Sequence, residues 1–236
     1  MNMPHVAILA GGLATRMRPA TEKIPKSLLD VAGKPFVARQ LEHLASQGVR
    51  SVTLCVGYLG EMIQDEVGDG ARFGLKVSYS FDGAKLLGTG GALRQALHLL
   101  GDDFFILYGD SFLPINFAKV ARVFESSGKP VLMTVLENRG QWDRSNVLMR
   151  NGALVEYNKN ATRPDFKFID YGLGLMKADT LRTYAKDTRF DLAEVHHRLS
   201  LAGQLAAFEV QERFYEIGSP DGLAQTTDYF KGREIK

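Results

Sequence analysis

The stretch "AILAGGLATRMRP", residues 7–19, runs from an apolar strand directly into two glycines, a turn with arginines and a proline. Glycines at the end of a buried strand let backbone N–H groups point at a ligand. The planar guanidinium group of arginine binds phosphate oxygens through two parallel hydrogen bonds. The spacing differs from the G-x-G-x-x-G of dinucleotide-binding proteins and from the G-x-x-x-x-G-K-S/T of P-loops. The residues alone leave two interpretations open: a tight turn, or a loop that holds an anion.

Apolar runs of strand length alternate with helical patterns up to about residue 125. The runs include "SVTLCVGY", "LKVSYS" and "DFFILYGD", and the helical patterns begin at Phe36, Gly60 and Gly88. Runs that are apolar throughout indicate strands buried on both faces, as in a parallel sheet covered by helices. The alternation predicts an α/β fold of three layers, α/β/α, around a Rossmann-like, doubly wound sheet.

The pattern changes after Lys129. Four runs, "PVLMTVLE", "NVLMR", "ALVEYN" and "FKFIDYGLGLM", have the character of successive strands, with turn signals such as Asn151-Gly152 between them. Helical patterns return in "DTLRTYAK" and "DLAEVHHRLSLAG". We therefore expect the sheet to be mixed in its second half. Because neither an internal repeat nor a linker interrupts the sequence, we expect residues 1–236 to form a single domain.

The composition limits the classes of partner. There are 29 basic and 27 acidic side chains, a net charge of +2, whereas nucleic-acid-binding proteins show a concentrated basic excess. Cys55 is the single cysteine, which excludes an internal disulfide, and its apolar surroundings indicate a core residue. We find neither a secretory signal nor a run of about 18 apolar residues. The sequence predicts a cytoplasmic protein that binds neither nucleic acid nor membrane.

Three polar stretches with glycines follow predicted strands: Gly11 to Arg18, Gly88 to Gly91, and Gly109-Asp110. Ligands bind at the carboxyl ends of the strands in open parallel sheets, so we expect all three stretches to face one crevice. Asp110 ends an apolar strand, where packing does not explain a carboxylate. It either caps a turn or serves as a hard oxygen ligand for Mg²⁺.

A longer pattern resembles a known family, the sugar-1-phosphate nucleotidyltransferases. Their signature is G-G-x-G-T-R-x-x-P, then P-K, then G-x-P before a helix. Here it reads Gly11 to Pro19, Pro25-Lys26 and Gly33-Lys34-Pro35, with Ala14 where the family usually has glycine. The resemblance covers almost the whole chain. It implies an enzyme that joins a sugar-1-phosphate to a nucleoside triphosphate and releases pyrophosphate.

The resemblance implies a nucleotide-binding half to about residue 125. Arg16, Lys26 and Asp110 are implied as catalytic residues: the cations neutralise the phosphates, and Asp110 holds Mg²⁺. Glu216 stands where the family has its second metal-binding aspartate, so direct ligation and a water-bridged contact both remain open. The predicted nucleotide-binding residues are Ala10, Gly11, Gly12, Thr15, Arg16, Leu87, Gly88 and Gly91.

A sugar-binding half is implied from about residue 126. The segments "VEYNKN" and "IDYGLGLM" match family segments that bind the sugar phosphate. They imply that Lys159 grips the phosphate and that Gly172 permits close approach of the sugar. Asn158 replaces an acidic residue of the family, and Asp170 stands where asparagine is common; both are predicted sugar-phosphate contacts, with a strand-edge charge as the alternative for Asp170.

Two further groups of side chains carry weaker signals. Trp142 and Arg144 lie in a polar loop, and they either line the sugar pocket or form a subunit contact. His196 and His197 lack the i, i+4 spacing of a helical metal-binding pair. We interpret the two histidines as surface or partly packed residues.

The segments "VGYLGE" and "LLGTGGAL" resemble the branch that makes GDP-heptose from D-glycero-D-manno-heptose 1-phosphate for surface glycans. That branch implies GTP and the heptose phosphate as substrates. We also expect Mg²⁺ as the cofactor, a homodimer, and no C-terminal β-helix domain. The alternatives are an N-acetylmuramic acid 1-phosphate uridylyltransferase or another hexose-1-phosphate nucleotidyltransferase. An alternative from another class of protein is a non-catalytic regulator that binds nucleotide or sugar phosphate. The absent fingerprint excludes a nicotinamide-dependent dehydrogenase.

Overall fold

The computed structural model describes residues 3–142 and 144–234. Its strands are β1 (His5–Leu9), β2 (Asp30–Val31), β3 (Lys34–Pro35), β4 (Ser51–Val56), β5 (Lys76–Phe81), β6 (Asp103–Tyr108), β7 (Ser111–Phe112), β8 (Val131–Glu137), β9 (Val147–Arg150), β10 (Ala153–Tyr157), β11 (Phe168–Lys177), β12 (Leu205–Val210) and β13 (Tyr215–Glu216). The helices are α1 (Phe36–Ser46), α2 (Gly60–Val67), α3 (Gly88–Ala96), α4 (Phe117–Ser127), α5 (Asp179–Arg182), α6 (Leu192–Leu201) and α7 (Pro220–Glu234). Short 3-10 turns occur at Thr15–Met17, Lys26–Leu28 and Ala71–Phe73.

The largest sheet has the strand order β10-β9-β11-β6-β1-β4-β5, and β8 pairs with both β11 and β12. The strands β6, β1, β4 and β5 run parallel to one another. β11 is antiparallel to both β6 and β8, so the sheet is mixed, as predicted. Leu9 lies opposite both Cys55 and Tyr108. The loops after β1, β4 and β6 therefore leave the sheet side by side.

Helices cover both faces of this sheet. Side chains of a strand alternate between faces, and in β1 the residues Val6 and Ile8 pack with the apolar sides of α1, α2 and α4. Ala7, between them, packs with α3, α5 and α6 on the opposite face. All three β1 side chains are fully buried. The predicted three-layer α/β/α arrangement is confirmed, and Cys55 is buried in the core as expected.

Several element boundaries differ from the sequence prediction. The helix at "GTGGALRQALHLLG" ends at Ala96 rather than Gly101. The "DTLRTYAK" helix is a single turn, because the chain leaves it where Tyr184 stacks on Phe190 with ring centroids 4.3 Å apart. The periodicity did not predict α7, whose buried residues Gly222, Thr226 and Phe230 are mostly small or polar.

His196 corrects a prediction. Its side chain is only 4% exposed, and neither ring nitrogen has a hydrogen-bond partner among the described residues. It packs edge-on against Tyr157, and burial lowers the pKa of His196 to about 4. His197 is partly exposed, as predicted, and its Nδ1 lies 2.6 Å from the Tyr157 carbonyl oxygen. Within the described ranges, no helix combines the length and the apolar character that crossing a bilayer requires.

Candidate active site

The loop after β1 carries a row of backbone donors. The N–H groups of Gly11, Gly12 and Leu13 donate to no acceptor among the residues that the structure describes. A Cβ at Gly11 would lie 3.1 Å from the Gly57 nitrogen, so the loop packs closely against the chain that follows β4. Ala14 has φ 47°, in the left-handed region that favours glycine. Such a row of unpaired N–H groups suits an anionic ligand.

A first cavity of about 300 Å³ opens beside this loop, at the carboxyl ends of the parallel strands. Its lining comprises Leu9, Ala10, Gly11, Gly12, Lys26, Ser27, Cys55, Asp82, Leu86, Gly88, Thr89, Ala92, Tyr108, Gly109, Asp110 and Arg189. All three predicted glycine-containing stretches contribute to this wall or to the adjoining second cavity. The volume of this cavity is at the lower end of the range for small-molecule sites.

Four predicted nucleotide contacts lie outside the first cavity, and one of them, Arg16, lines the second cavity. Thr15 is exposed on a 3-10 turn. Leu87 is buried, and its carbonyl accepts a hydrogen bond of 3.0 Å from the N–H of Phe190. The Gly91 N–H donates to the Phe190 carbonyl at 3.3 Å, and a Cβ at Gly91 would lie 2.5 Å from the Thr188 oxygen. The structure thus gives Leu87 and Gly91 a packing role under the segment 188–190, and their nucleotide contacts stay predictions.

Asp82 is a lining residue that the sequence analysis missed, although it follows β5 just as Asp110 follows β6. Its Oδ2 accepts a hydrogen bond of 3.1 Å from the Leu87 N–H. Oδ1 accepts no hydrogen bond from the described residues. Burial raises the pKa of Asp82, and the Leu87 bond offsets part of that rise. Asp82 therefore lines the first cavity with a carboxylate that keeps acceptor capacity for a further hydrogen bond.

Asp110 and Lys26 form an ion pair at the junction of the site. Lys26 Nζ lies 2.5 Å from Asp110 Oδ2, and the side chains are 20% and 28% exposed. Gln40 of α1 holds the turn that carries Asp110, because its Nε2 donates to the carbonyls of Tyr108 at 2.9 Å and Ser111 at 2.7 Å. Gln40 itself is 2% exposed. Asp110 is thereby fixed from both its side chain and its backbone.

Glu216 reaches the same place from the far end of the chain. The two-residue ladder of β13 and β7 sets Glu216 opposite Ser111, next to Asp110. The Glu216 carboxylate also accepts hydrogen bonds from the Gly218 N–H and, at 2.6 Å, from Ser219 Oγ. Glu216 therefore binds the residues just before α7 and also lines the second cavity. A carboxylate has about four acceptor positions, so these bonds leave room for a further ligand.

Gly218 keeps open the space between three charged groups. A Cβ at this residue would lie 2.9 Å from Glu216 Oε2, 3.4 Å from Asp110 Oδ2 and 3.5 Å from Arg16 Nη2. Both predicted metal ligands and the predicted phosphate-binding arginine therefore converge on one point. The glycine provides this space because it has no side chain.

The donor set fits Mg²⁺. Mg²⁺ is usually held by one or two carboxylates, with phosphate oxygens and water as its other ligands. Asp110 and Glu216 supply two carboxylates, and in residues 3–142 and 144–234 no cluster of three or more His, Cys, Asp or Glu side chains forms a closed metal site. The residues that would hold the ion are therefore Asp110 and Glu216, with substrate oxygens as partners.

A second cavity of about 940 Å³ adjoins the first, and both share Tyr108 and Asp110. Its wall includes Arg16, Ser111, Gln141, Trp142, Arg144, Asn146, Lys159, Asn160, Ile169, Asp170, Tyr171, Gly172, Arg213, Phe214, Glu216, Ser219, Asp221, Gly222 and Gln225. Trp142 and Arg144 thus lie at a pocket, one of the two alternatives for them. Trp142 packs on Phe214, and the Arg213 guanidinium stands 4.6 Å over the Trp142 ring.

Lys159 lines the second cavity, whereas its neighbour Asn158 lines neither cavity. Asn158 Oδ1 accepts hydrogen bonds of 3.1 Å from the N–H groups of Asn160 and Ala161. It thereby shapes the turn that presents Lys159. The Lys159 ammonium pairs with Asp191 Oδ2 at 2.8 Å.

Asp170 and Gly172 lie where β11 loses its register with β8. Gly172 has φ 103°, and its N–H donates to Asp170 Oδ1 at 2.9 Å. Burial raises the pKa of Asp170 to about 6, although the Gly172 N–H and the charge of Lys159 act in the opposite direction. The pKa of Tyr108 is also raised, first by burial and second by the nearby negative charge of Asp170. The wall of the second cavity therefore carries a carboxyl group that is harder to ionise than an exposed aspartate.

Fold and site together define an α/β protein with a glycine loop at its strand ends and two cavities that meet at a carboxylate. The profile of the family described as Nucleotidyl transferase matches residues 5–144, and the chain belongs to that family. Its predicted fold, the nucleotide-diphospho-sugar transferase type, is confirmed by solved structures. HddC from Yersinia pseudotuberculosis, complexed with GMP-PN, superposes with a TM-score of 0.80 at 25% identity and covers 97% of this chain and 100% of its own.

Two curated relatives show the spread of the family. The chain is 30% identical over 220 residues to the mannose-1-phosphate guanylyltransferase catalytic subunit beta of Xenopus tropicalis, covering 90% of this chain but 61% of that protein. It is 27% identical over 216 residues to the D-glycero-alpha-D-manno-heptose 1-phosphate guanylyltransferase of Campylobacter jejuni, covering 91% of this chain and 94% of that one. This chain thus spans about three-fifths of the length of the Xenopus relative.

We expect Gly218→Ala to weaken binding of Mg²⁺ together with a nucleoside triphosphate by about tenfold or more, because the added methyl displaces the Glu216 carboxylate. The unfolding temperature should change by only about 2–3 °C, since the displaced atom is the end of a side chain. Calorimetric titration and thermal unfolding measure the two effects. Gly232→Ala is the matched control, because a Cβ at Gly232 meets nothing within 4 Å. Unchanged Mg²⁺ binding in Gly218→Ala would show that the space beside Gly218 takes no part in binding the ion.

We expect Asp170→Asn to stabilise the fold by about 1–3 kcal/mol at pH 7.5 and by little near pH 4. Folding raises the pKa of Asp170 to about 6, so the folded state binds more protons between about pH 4 and pH 6 and loses stability as the pH rises. Urea unfolding from pH 4 to pH 8 measures this dependence. Asp65→Asn, at an exposed site on α2, controls for net charge. An equal effect at every pH would contradict the expectation.

Proposed function

We propose that this chain transfers a guanylyl group from GTP to D-glycero-D-manno-heptose 1-phosphate, giving GDP-heptose for surface glycans. The observation that carries the proposal is the junction of two cavities at Asp110, with Lys26 and Arg16 beside it. The first cavity would take the nucleotide and the second the sugar phosphate. On this view residues 1–236 act as one domain, with a nucleotide-binding half to about 125 and a sugar-binding half from 126.

The reaction makes one bond to phosphorus and breaks another. An oxygen of the sugar phosphate attacks the α-phosphorus of the triphosphate, the bond from the α-phosphorus to the bridging oxygen breaks, and pyrophosphate leaves with that electron pair. Such transfers depend on positioning and charge neutralisation. The N–H groups of Gly11 and Gly12, with Arg16, would hold the triphosphate. Lys26 would stabilise the negative charge that shifts at the α-phosphate.

The sugar phosphate would enter from the second cavity. Lys159 would bind its phosphate group, and Asp170 with Gly172 would contact the sugar. A bound Mg²⁺ would supply positive charge to the phosphate oxygens, and Asp110 and Glu216 are the residues that would hold it. The ion pair with Asp110 keeps Lys26 at the boundary of the cavities, within reach of both substrates.

Asp82 supports the choice of guanine as the base. Guanine presents two neighbouring donors, N1–H and the N2 amine, and a carboxylate only accepts. Uracil and thymine offer a single ring N–H between two carbonyl oxygens, which a carboxylate repels. Since Oδ1 of Asp82 accepts no bond from the described residues, this side chain favours guanine in the first cavity. The full-length match to HddC with GMP-PN supports the same choice.

N-acetylmuramic acid 1-phosphate uridylyltransferase is the second candidate. The sugar of that reaction carries a carboxylate, and the guanidinium groups of Arg144 and Arg213 stand in the wall of the second cavity. Other hexose 1-phosphates, and a regulator without turnover, are the remaining alternatives. The homodimer and the cytoplasmic location stay predictions.

A panel assay of pyrophosphate release tests the function. We expect GTP with the heptose phosphate to exceed every other pairing of GTP, ATP, CTP, UTP and dTTP with hexose 1-phosphates and N-acetylmuramic acid 1-phosphate. Asp110→Asn should lower kcat by about a hundredfold or more, while the unfolding temperature stays within about 3 °C. Substrate binding without turnover in the parent protein would instead favour the regulator, and UTP preference would favour the second candidate.

We expect Asp82→Asn to lower kcat/KM for GTP by about ten- to hundredfold and to bring the ratio of GTP to ITP close to one, because ITP lacks the N2 amine. Asparagine keeps an oxygen for the Leu87 N–H, so the local fold is preserved. Steady-state kinetics with both nucleotides measure the ratio. Asp65→Asn makes the same chemical change at an exposed residue and should leave the ratio unaltered. An unaltered ratio in Asp82→Asn would show that Asp82 does not contact the base.

A further inference from the structure

Asp191 connects the walls of the two cavities. It is the N-cap of α6, and its Oδ1 accepts hydrogen bonds from the Ala193 N–H at 3.0 Å and from Thr89 Oγ1 at 2.8 Å. Its Oδ2 pairs with the Lys159 ammonium at 2.8 Å. The Thr89 hydroxyl in turn accepts a hydrogen bond of 2.8 Å from the Leu192 N–H. Every polar atom of this link is therefore engaged.

The ends of the link belong to different cavities. Thr89, on α3, lines the first cavity, and Lys159 lines the second. The path from Thr89 through Asp191 to Lys159 does not include Asp110, the residue at the junction of the cavities. Asp191 lines neither cavity. Asp191 therefore holds one lining residue of each cavity, Thr89 and Lys159, without lining either cavity itself.

The charge of Asp191 is well secured. Burial acts to raise its pKa, but the hydrogen bonds from Lys159, Ala193 and Thr89 outweigh burial and lower the pKa overall. The Lys159 side chain is 56% exposed and that of Asp191 41% exposed, so their ion pair adds little to stability. The pair instead restricts the long, flexible side chain of Lys159, so that less conformational entropy is lost when a ligand binds to it. An ammonium group has three donors, and Asp191 uses one, which leaves two for a phosphate group.

We infer that Asp191 is a positioning residue, which aims the Lys159 ammonium at the phosphate of the sugar substrate while Thr89 fixes Asp191 from the nucleotide side. The inference rests on the proposed function in one respect, that Lys159 binds the sugar phosphate. It adds a dependence of sugar-phosphate affinity on a residue of the nucleotide cavity.

A double-mutant cycle tests the inference. Its members are the parent, Asp191→Asn, Lys159→Met and the double variant, with GTP and heptose 1-phosphate as substrates and mannose 1-phosphate as a second probe. Asparagine is as good an N-cap as aspartate, so α6 keeps its start. We expect Asp191→Asn to raise the KM for the sugar phosphate about three- to tenfold, with kcat and the KM for GTP within about twofold of the parent. In the Lys159→Met background it should add nothing.

A second pair of variants separates positioning from a structural effect. Thr89→Val keeps the shape of the side chain and removes both hydrogen bonds, whereas Thr89→Ser keeps the hydroxyl. We expect Thr89→Val to raise the KM for the sugar phosphate in the parent but not in the Lys159→Met background, and Thr89→Ser to restore the parent value. This pair also serves as the test should Asp191→Asn fail to fold.

The outcomes distinguish the inference from the proposed function. Additive effects of Asp191→Asn and Lys159→Met, or an unchanged or lower KM in Asp191→Asn, would overturn the inference and leave the function standing. An unchanged KM in Lys159→Met would overturn both the role of Lys159 and the inference. If no pairing turns over, calorimetric binding of the two sugar phosphates replaces KM in the same cycle, and the same comparisons decide.

Discussion

The parallel register of β1 with its two neighbours is the constraint on which the site depends. Leu9 lies opposite both Cys55 and Tyr108, so three strands end at the same level. The chain after β6 can pass the chain after β1 only because residue 109 is glycine, where a Cβ would lie 2.8 Å from the Leu9 oxygen. The glycine loop and Asp110 are brought together by this alignment, and the distant segment with Glu216 needs only a two-residue ladder to join them.

The ion pair of Lys26 and Asp110 is better explained by placement than by stability. Both side chains are more than two-thirds buried, and removing charges from water costs about as much as their attraction returns. Each group nevertheless fixes the position of the other at the boundary between the cavities. Gln40 adds a second restraint from α1, through two carbonyls on either side of Asp110. A site that transfers charged groups requires this kind of preorganisation.

Local sequence predicted the features that depend on strand ends. Gly11, Gly88 and Asp110 each follow or adjoin an apolar run, and all three line the first cavity. Asp82 obeys the same rule and was missed because no family motif drew attention to it. Leu87 and Gly91 could not be judged locally, since the segment 188–190, about a hundred residues away, takes up their backbone groups. His196 is buried by the packing of α6 against Tyr157, which adjacent histidines do not reveal.

The part of the second cavity around Asp170 depends on an irregularity in the sheet. Between Asp170 and Gly174, β11 has two more residues than β8 opposite it, and such bulges redirect side chains. The hydroxyl of Thr134, fully buried, accepts from the Leu173 N–H and donates to the Leu173 carbonyl, which satisfies backbone groups that the bulge removes from the ladder. Asp170 and Gly172 face the cavity as a result. Because the bulge and the aligned strand ends are separate structural devices, the side chains around Asp170 can change without disturbing the strand ends.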